Sequence, residues 1–251
     1  MRRIIEVTHR RRGSSSRLAN RLGLAAAIVA AVLAGPAQAA RPLATDDAAV
    51  VAEGACQIET WMERGRGDRA VWLNPGCNPF GSTEIQLGGA RTRADGAGHA
   101  TLWRVQVKQL IRETGSDGPG FAIAAGLSGR RPAGERERFA TAILSQPLDG
   151  EKFSLHANLG LRHLREAGSA DTKAFWAVAL DREVAPDLRA SAEVFGAAGD
   201  TTRWQLGVRW VTFGGKVQFD ASAGSTFRSV RDGRLLTIGV VVLPDALTFR
   251  R

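Results

Sequence analysis

Between Lys152 and Leu164 apolar and polar residues alternate. Phe153, Leu155, Ala157, Leu159 and Leu161 take one parity, and Lys152, Ser154, His156, Asn158 and Arg162 take the other. A helix would gather Phe153, Ala157 and Leu161 on one side and leave Leu155 and Leu159 on another. A strand with one apolar face accounts for all five. The code recurs with Trp103, Val105 and Val107 against Arg104, Gln106 and Lys108. It recurs with Trp204, Leu206, Val208 and Trp210 against Arg203, Gln205 and Arg209, and with Val217, Phe219, Ala221 and Ala223 against Lys216, Gln218 and Asp220. Weaker versions cover Thr83–Gly89, Phe121–Leu127, Arg138–Leu144, Lys173–Leu180, Leu188–Phe195 and Leu236–Val242.

Ala55–Asn78 supplies two more strands, folded about Arg64–Arg69 (RGRGDR). A pairing in which residue numbers sum to 133 sets Cys56 against Cys77 and Trp61 against Trp72. These are the only two cysteines and two of the six tryptophans. The register puts Cys56, Ile58, Thr60 and Met62 on the apolar face, and Gln57, Glu59 and Trp61 on the polar one. The total is about twelve strands with no run at helical spacing after residue 55. The expected fold is therefore all-β: a closed, antiparallel, up-and-down β-barrel of about twelve strands that spans a membrane. Closure removes the unpaired strand edges that lipid does not tolerate. The polar breaks after odd-numbered strands read longer than most of those after even-numbered ones, as in barrels with long outer loops and short periplasmic turns. A soluble periplasmic β-barrel or sandwich that binds a small ligand or protein partner fits the same alternation.

The first 39 residues change the charge and the address. They hold seven Arg and one Glu, an apolar run at Leu22–Leu33, and the exit Ala37-Gln38-Ala39, the order of a secretory signal peptide. That run is shorter than the ~20 residues of a transmembrane helix. The division expected is a signal peptide at 1–39, an extended N-terminal segment at 40–54 and the β-barrel domain at 55–251. Removing the leader from 34 basic and 25 acidic residues leaves 27 and 24, so most of the formal +9 belongs to the leader. Nucleic acid is not an expected partner; the outer-membrane bilayer is. Export makes a Cys56–Cys77 disulfide the natural state of the pair. Asp46-Asp47 reads as a solvated turn, because two adjacent carboxylates fall short of the six or so oxygens of a hard-cation site.

The run RPLATDDAAVVAEGACQIETW at Arg41–Trp61 resembles the opening of an exported barrel family linked to the MetA pathway of phenol degradation. The likeness rests on Pro42-Leu43, Thr45-Asp46-Asp47-Ala48, Gly54 and Gln57-Ile58-Glu59, then on Cys77–Gly81 and Glu84–Ala90. It implies an outer-membrane barrel concerned with passage of aromatic compounds, and it brings no catalytic residues.

Enzyme motifs are missing: there is no G-x-S-x-G, H-E-x-x-H or P-loop. No enzyme activity, cofactor or metal is expected, an outer-membrane barrel enzyme being the remote alternative. His156 lies on a polar strand face and is expected to be solvated. The candidate lumen-lining residues are Arg104, Lys108, Lys152, His156, Arg162, Arg203, Arg209 and Lys216. A lumen so lined would be net cationic and favour small anionic or aromatic solutes; inward charge pairs that simply fill a narrow barrel are the other reading.

Overall fold

A computed structural model describes residues 43–96, 98–115, 118–149 and 152–242. The expected signal peptide at 1–39, the start of the N-terminal segment and the tail after Val242 lie outside the described residues. Twelve strands form one closed antiparallel ring in which each strand pairs with its sequence neighbours and β1 closes on β12. They are β1 (Cys56–Arg64), β2 (Asp68–Cys77), β3 (Thr83–Ala94), β4 (Gly98–Arg112), β5 (Gly120–Arg131), β6 (Glu135–Leu148), β7 (Phe153–Glu166), β8 (Ser169–Ala185), β9 (Leu188–Ala197), β10 (Arg203–Thr212), β11 (Val217–Thr226) and β12 (Leu235–Val242). Among the described residues no helix is long and apolar enough to cross a membrane.

The alternation resolves into two walls of opposite character. The outer wall exposes Leu159 at 66%, Ile238 at 61% and Leu206 at 56%, while the inner wall buries Glu84 at 2%, Asp181 at 1% and Gln106 at 0%. A water-soluble barrel would turn its large apolar side chains inward, because burying them is what drives folding in water. This one covers its polar residues and presents its aliphatic ones.

The β1–β2 register sums to 133 throughout, with Cys56 opposite Cys77 and Trp61 opposite Trp72. The two cysteines form a disulfide with Cα atoms 4.0 Å apart. Glu59 and Trp61 are buried on the lumen side, and the Trp61 and Trp72 rings stack with centroids 5.2 Å apart. The disulfide closes a loop of 21 residues' separation, which on chain-entropy grounds is worth about 3 kcal/mol. Replacing both cysteines by Ser should lower resistance to urea by about that amount and leave the barrel closed. The check is an unfolding titration of both proteins in detergent.

Two expectations about connections need correction. The turns at 65–67, 132–134 and 167–168 are short, and 78–82 at the opposite end is no shorter, so the longer-loop end does not exist as expected. Charged residues such as Arg91, Arg93, Arg131 and Arg165, which lie outside the expected strand segments, belong to strands. β3 to β8 run from 12 to 17 residues, beyond the ~9–11 that cross a bilayer. Their polar ends continue the ladder past the apolar belt.

Candidate functional site

The site is the lumen, and its centre is the segment before β1. Leu43, Thr45, Asp46, Ala48 and Val51 are all buried, because this stretch lies inside the barrel. At one end, the Glu193 carboxylate on β9 accepts from the Ala44 N–H at 2.8 Å, from the Thr45 N–H at 2.9 Å and from the Thr45 hydroxyl at 2.8 Å. In the middle, Asn158 on β7 accepts from the Asp46 N–H and donates to the Asp46 carbonyl at 2.9 Å. The Ala48 N–H donates to Ser145 Oγ on β6 at 2.8 Å. At the far end, the Val51 N–H donates to Glu84 on β3 at 2.9 Å, while Asn78 donates to the Val51 carbonyl. Since β3 and β9 stand on opposite sides of the ring, the segment crosses the lumen from wall to wall.

This arrangement follows from backbone chemistry. An extended chain surrounded by strands that are already paired has no sheet partner, so its N–H and C=O groups must find side chains. Glu84, Ser145, Asn158 and Glu193 supply them. Apolar contacts add to these, with Leu43 packed on Ala179 and Ala48 packed among Ala122, Ala124 and Ile143. The segment leaves the lumen at Gly54, whose φ of +73° is the left-handed conformation that favours glycine. There the Gly54 N–H donates to the Asn78 carbonyl at 2.8 Å, beside the disulfide.

Asp46 overturns the expected solvated turn. It is buried, and Lys108 Nζ lies 2.8 Å from its Oδ1 and 3.6 Å from Asp47 Oδ1. Burial pushes the Asp46 carboxyl up to about 7, against the pull of Lys108. Desolvation works against the Asp47 carboxylate too, yet Lys108, His156 and Arg209 hold it below its ordinary value.

Of the expected lining residues, Arg104, Lys108, His156, Arg162, Arg203 and Arg209 sit on inward strand positions. Lys152 and Lys216 do not. Each is exposed in the turn one residue before its strand, β7 or β11, where the alternation extends past the last ladder position. His156 is half-buried, not solvated, and its Nδ1 lies 2.8 Å from the same Ser145 hydroxyl that receives Ala48.

Inward acids offset the inward bases, so the lumen is mixed in sign and not simply cationic. Asp181 is buried between Arg189 and Arg209, with Arg209 Nη2 at 3.0 Å. Arg162 reaches Asp200 at 2.7 Å. Further along, the Arg104 guanidinium lies 4.4 Å from the centroid of the Phe139 ring, a cation–π distance. Phe139 in turn packs with Phe175. Sequence reasoning missed Asn158 as a ligand of the segment, along with Asp181, Arg189 and the two rings. Among the described residues no group of His, Cys, Asp and Glu has the arrangement of a metal site.

A closed β-barrel with a lipid-compatible outside and a polar, segment-crossed inside has the fold of outer-membrane porins. Solved structures with this fold include the NanC porin (TM-score 0.57, 10% identity, 75% of this chain and 99% of that one). The KdgM porin in complex with disordered oligogalacturonate is similar at TM-score 0.56 and 10% identity, covering 74% and 98%. So is the COG4313 outer membrane channel from Pseudomonas putida F1, at TM-score 0.56 and 13% identity, covering 78% and 98%. The chain belongs to the family described as uncharacterised conserved protein UCP029691, which matches residues 27–243. No curated relative matches the sequence. Neither the family nor these neighbours carry the phenol-degradation name.

Proposed function

We propose that the protein is an outer-membrane channel for small solutes, without enzymatic activity, whose lumen is constricted by Leu43–Val51. The observation that carries this reading is the pairing of an exposed aliphatic outer wall with a polar interior that holds a docked segment. A soluble periplasmic protein would leave Leu159, Leu206 and Ile238 in water, a large apolar surface with nothing to cover it.

Beyond the segment, Arg104 and Arg162 share the lumen wall with the stacked Trp61–Trp72 pair and with Phe139 and Phe175. Guanidinium groups beside ring faces suit a small aromatic anion, such as a carboxylate or phenolate, and the resemblance at Arg41–Trp61 to a phenol-degradation family favours the same solute class. The mature protein should fractionate with the outer membrane and run faster on a denaturing gel unheated than boiled. Recovery as a monodisperse periplasmic protein without detergent would overturn the reading.

A further inference from the structure

The outer wall carries a second pattern, on the long strands at the end remote from the described N-terminal segment. Its outward positions there are cationic. On β6 and β7, Arg136 stands directly opposite Arg165, and Arg138 directly opposite His163. On β1 to β4 a similar chain runs from Arg64 to Arg69, to Arg93, to His99. All these arginines are exposed. Like charges facing each other across a ladder are destabilising in an isolated sheet. Among the described residues none of these arginines has an ion-pair partner, because the strand acids at this level, Glu63, Asp68, Glu135, Glu137, Glu166 and Asp171, take the inward positions of their strands. The outward positions at this end of β8 to β11, among them Ala170, Thr172, Gly196 and Trp204, are uncharged.

Immediately along the same strands the wall becomes a shallow apolar groove of about 620 Å³. Ala125, Ala140, Ala142 and Ala174 line it, together with the larger Ile123 and Leu161. Ala140 follows Arg138 by two residues on β6, and Leu161 precedes His163 by two on β7. At ~3.3 Å per residue, charge and groove are about 7 Å apart. Small residues at outward positions spare room for something flexible, and the cations stand at one end of that room.

We propose that this face holds a phosphorylated, multiply acylated glycolipid of the outer leaflet, with its phosphates on Arg136, Arg138 and Arg165 and an acyl chain in the alanine groove. The inference rests on the outer-membrane reading. In an even-stranded barrel the start of β1 and the end of β12 lie at one end, and a chain delivered from the periplasm leaves that end there, so the arginines meet the outer leaflet. Charge complementarity selects this occupant: facing arginines need a multivalent anion, and the groove beneath them needs hydrocarbon. A neutral acyl chain alone would leave the arginine pairs uncompensated.

The test is native mass spectrometry of the detergent-solubilised, folded protein titrated with bisphosphorylated lipid A, and in parallel with the same lipid after phosphate removal. Wild type should prefer the phosphorylated form. The triple variant R136Q/R138Q/R165Q should lose affinity at least about tenfold, given the strength of attraction per basic residue at an anionic surface. R182Q, at an exposed outward position near the other end of β8, should bind as wild type does. Equal binding of the two lipids by wild type overturns the proposal whatever the variants do. So does undiminished binding by a triple variant that keeps its heat-modifiable migration. A lipid-free dimer that the triple substitution disperses would make a second copy the occupant and overturn it too. Since binding is read in detergent, a negative result leaves membrane fractionation, and with it the channel reading, standing on its own evidence.

Discussion

A barrel refolded without residues 43–51 is expected to pass several-fold more current per channel than the barrel that keeps them, in a planar bilayer. The deleted stretch crosses from β9 to β3 with its backbone bonded to the wall at both ends, so it occupies the lumen cross-section that the proposed channel would need open. Glu193→Ala should act differently. That carboxylate accepts from three donors, the Ala44 N–H shared between its two oxygens, the Thr45 N–H and the Thr45 hydroxyl, and bonds to a charged group contribute ~1.5–3 kcal/mol each. Holding each residue of the segment in place costs ~1–2 kcal/mol of backbone entropy. The two terms are of similar size, so losing Glu193 frees the Leu43 end while Lys108 and Glu84 retain the rest. The variant should flicker to higher conductance where the deletion stays high. Identical traces from wild type, deletion and Glu193→Ala would sink the idea that this segment sets the constriction.

Asp181→Ala should be the most damaging single change to the wall itself, lowering stability by about 3–5 kcal/mol, the usual effect of stripping the counter-ion from a buried charge pair. Asp181 is 1% exposed and answers both Arg189 and Arg209, so its loss leaves two inward guanidiniums facing each other. The measurement is the urea midpoint of tryptophan fluorescence in detergent micelles. The control is a triple change of Asp181, Arg189 and Arg209 to apolar residues of similar volume, which should recover most of the loss. A wild-type midpoint for Asp181→Ala would show that the arginines find other partners.

What the sequence made legible is the ladder. Cys56, Trp61, Trp72 and Cys77 fixed one hairpin register, and the strand count followed from alternation. Lumen chemistry was harder to see because alternation reports two faces without saying which is inside. In β8 the run Ala174–Leu180 is apolar on both faces: Phe175, Ala177 and Ala179 are buried while Trp176, Val178 and Leu180 are exposed. With no contrast to read, Asp181 looked like a strand end. The charged strand extensions failed for a related reason. Arg91 and Arg93 interrupt the apolar pattern that marks a strand, yet the backbone ladder continues through them opposite Thr101 and His99. Asp46 was misread because its partner Lys108 lies 62 residues away, on a strand that sequence proximity does not bring near.

The same long reach has a bearing on assembly. Residues 43–51 leave the ribosome ahead of every described strand, yet Thr45 lies 148 positions from its partner Glu193. Contacts of such separation form late, because the intervening chain must be ordered before they return any free energy. First out, the segment is among the last parts to settle. It needs β3, β6, β7 and β9 each at its proper place around the ring, so its docking registers that the wall has closed with the right number of staves. A ring closed one hairpin short would bring Glu84 and Glu193 to the wrong spacing and leave the leading segment without a seat.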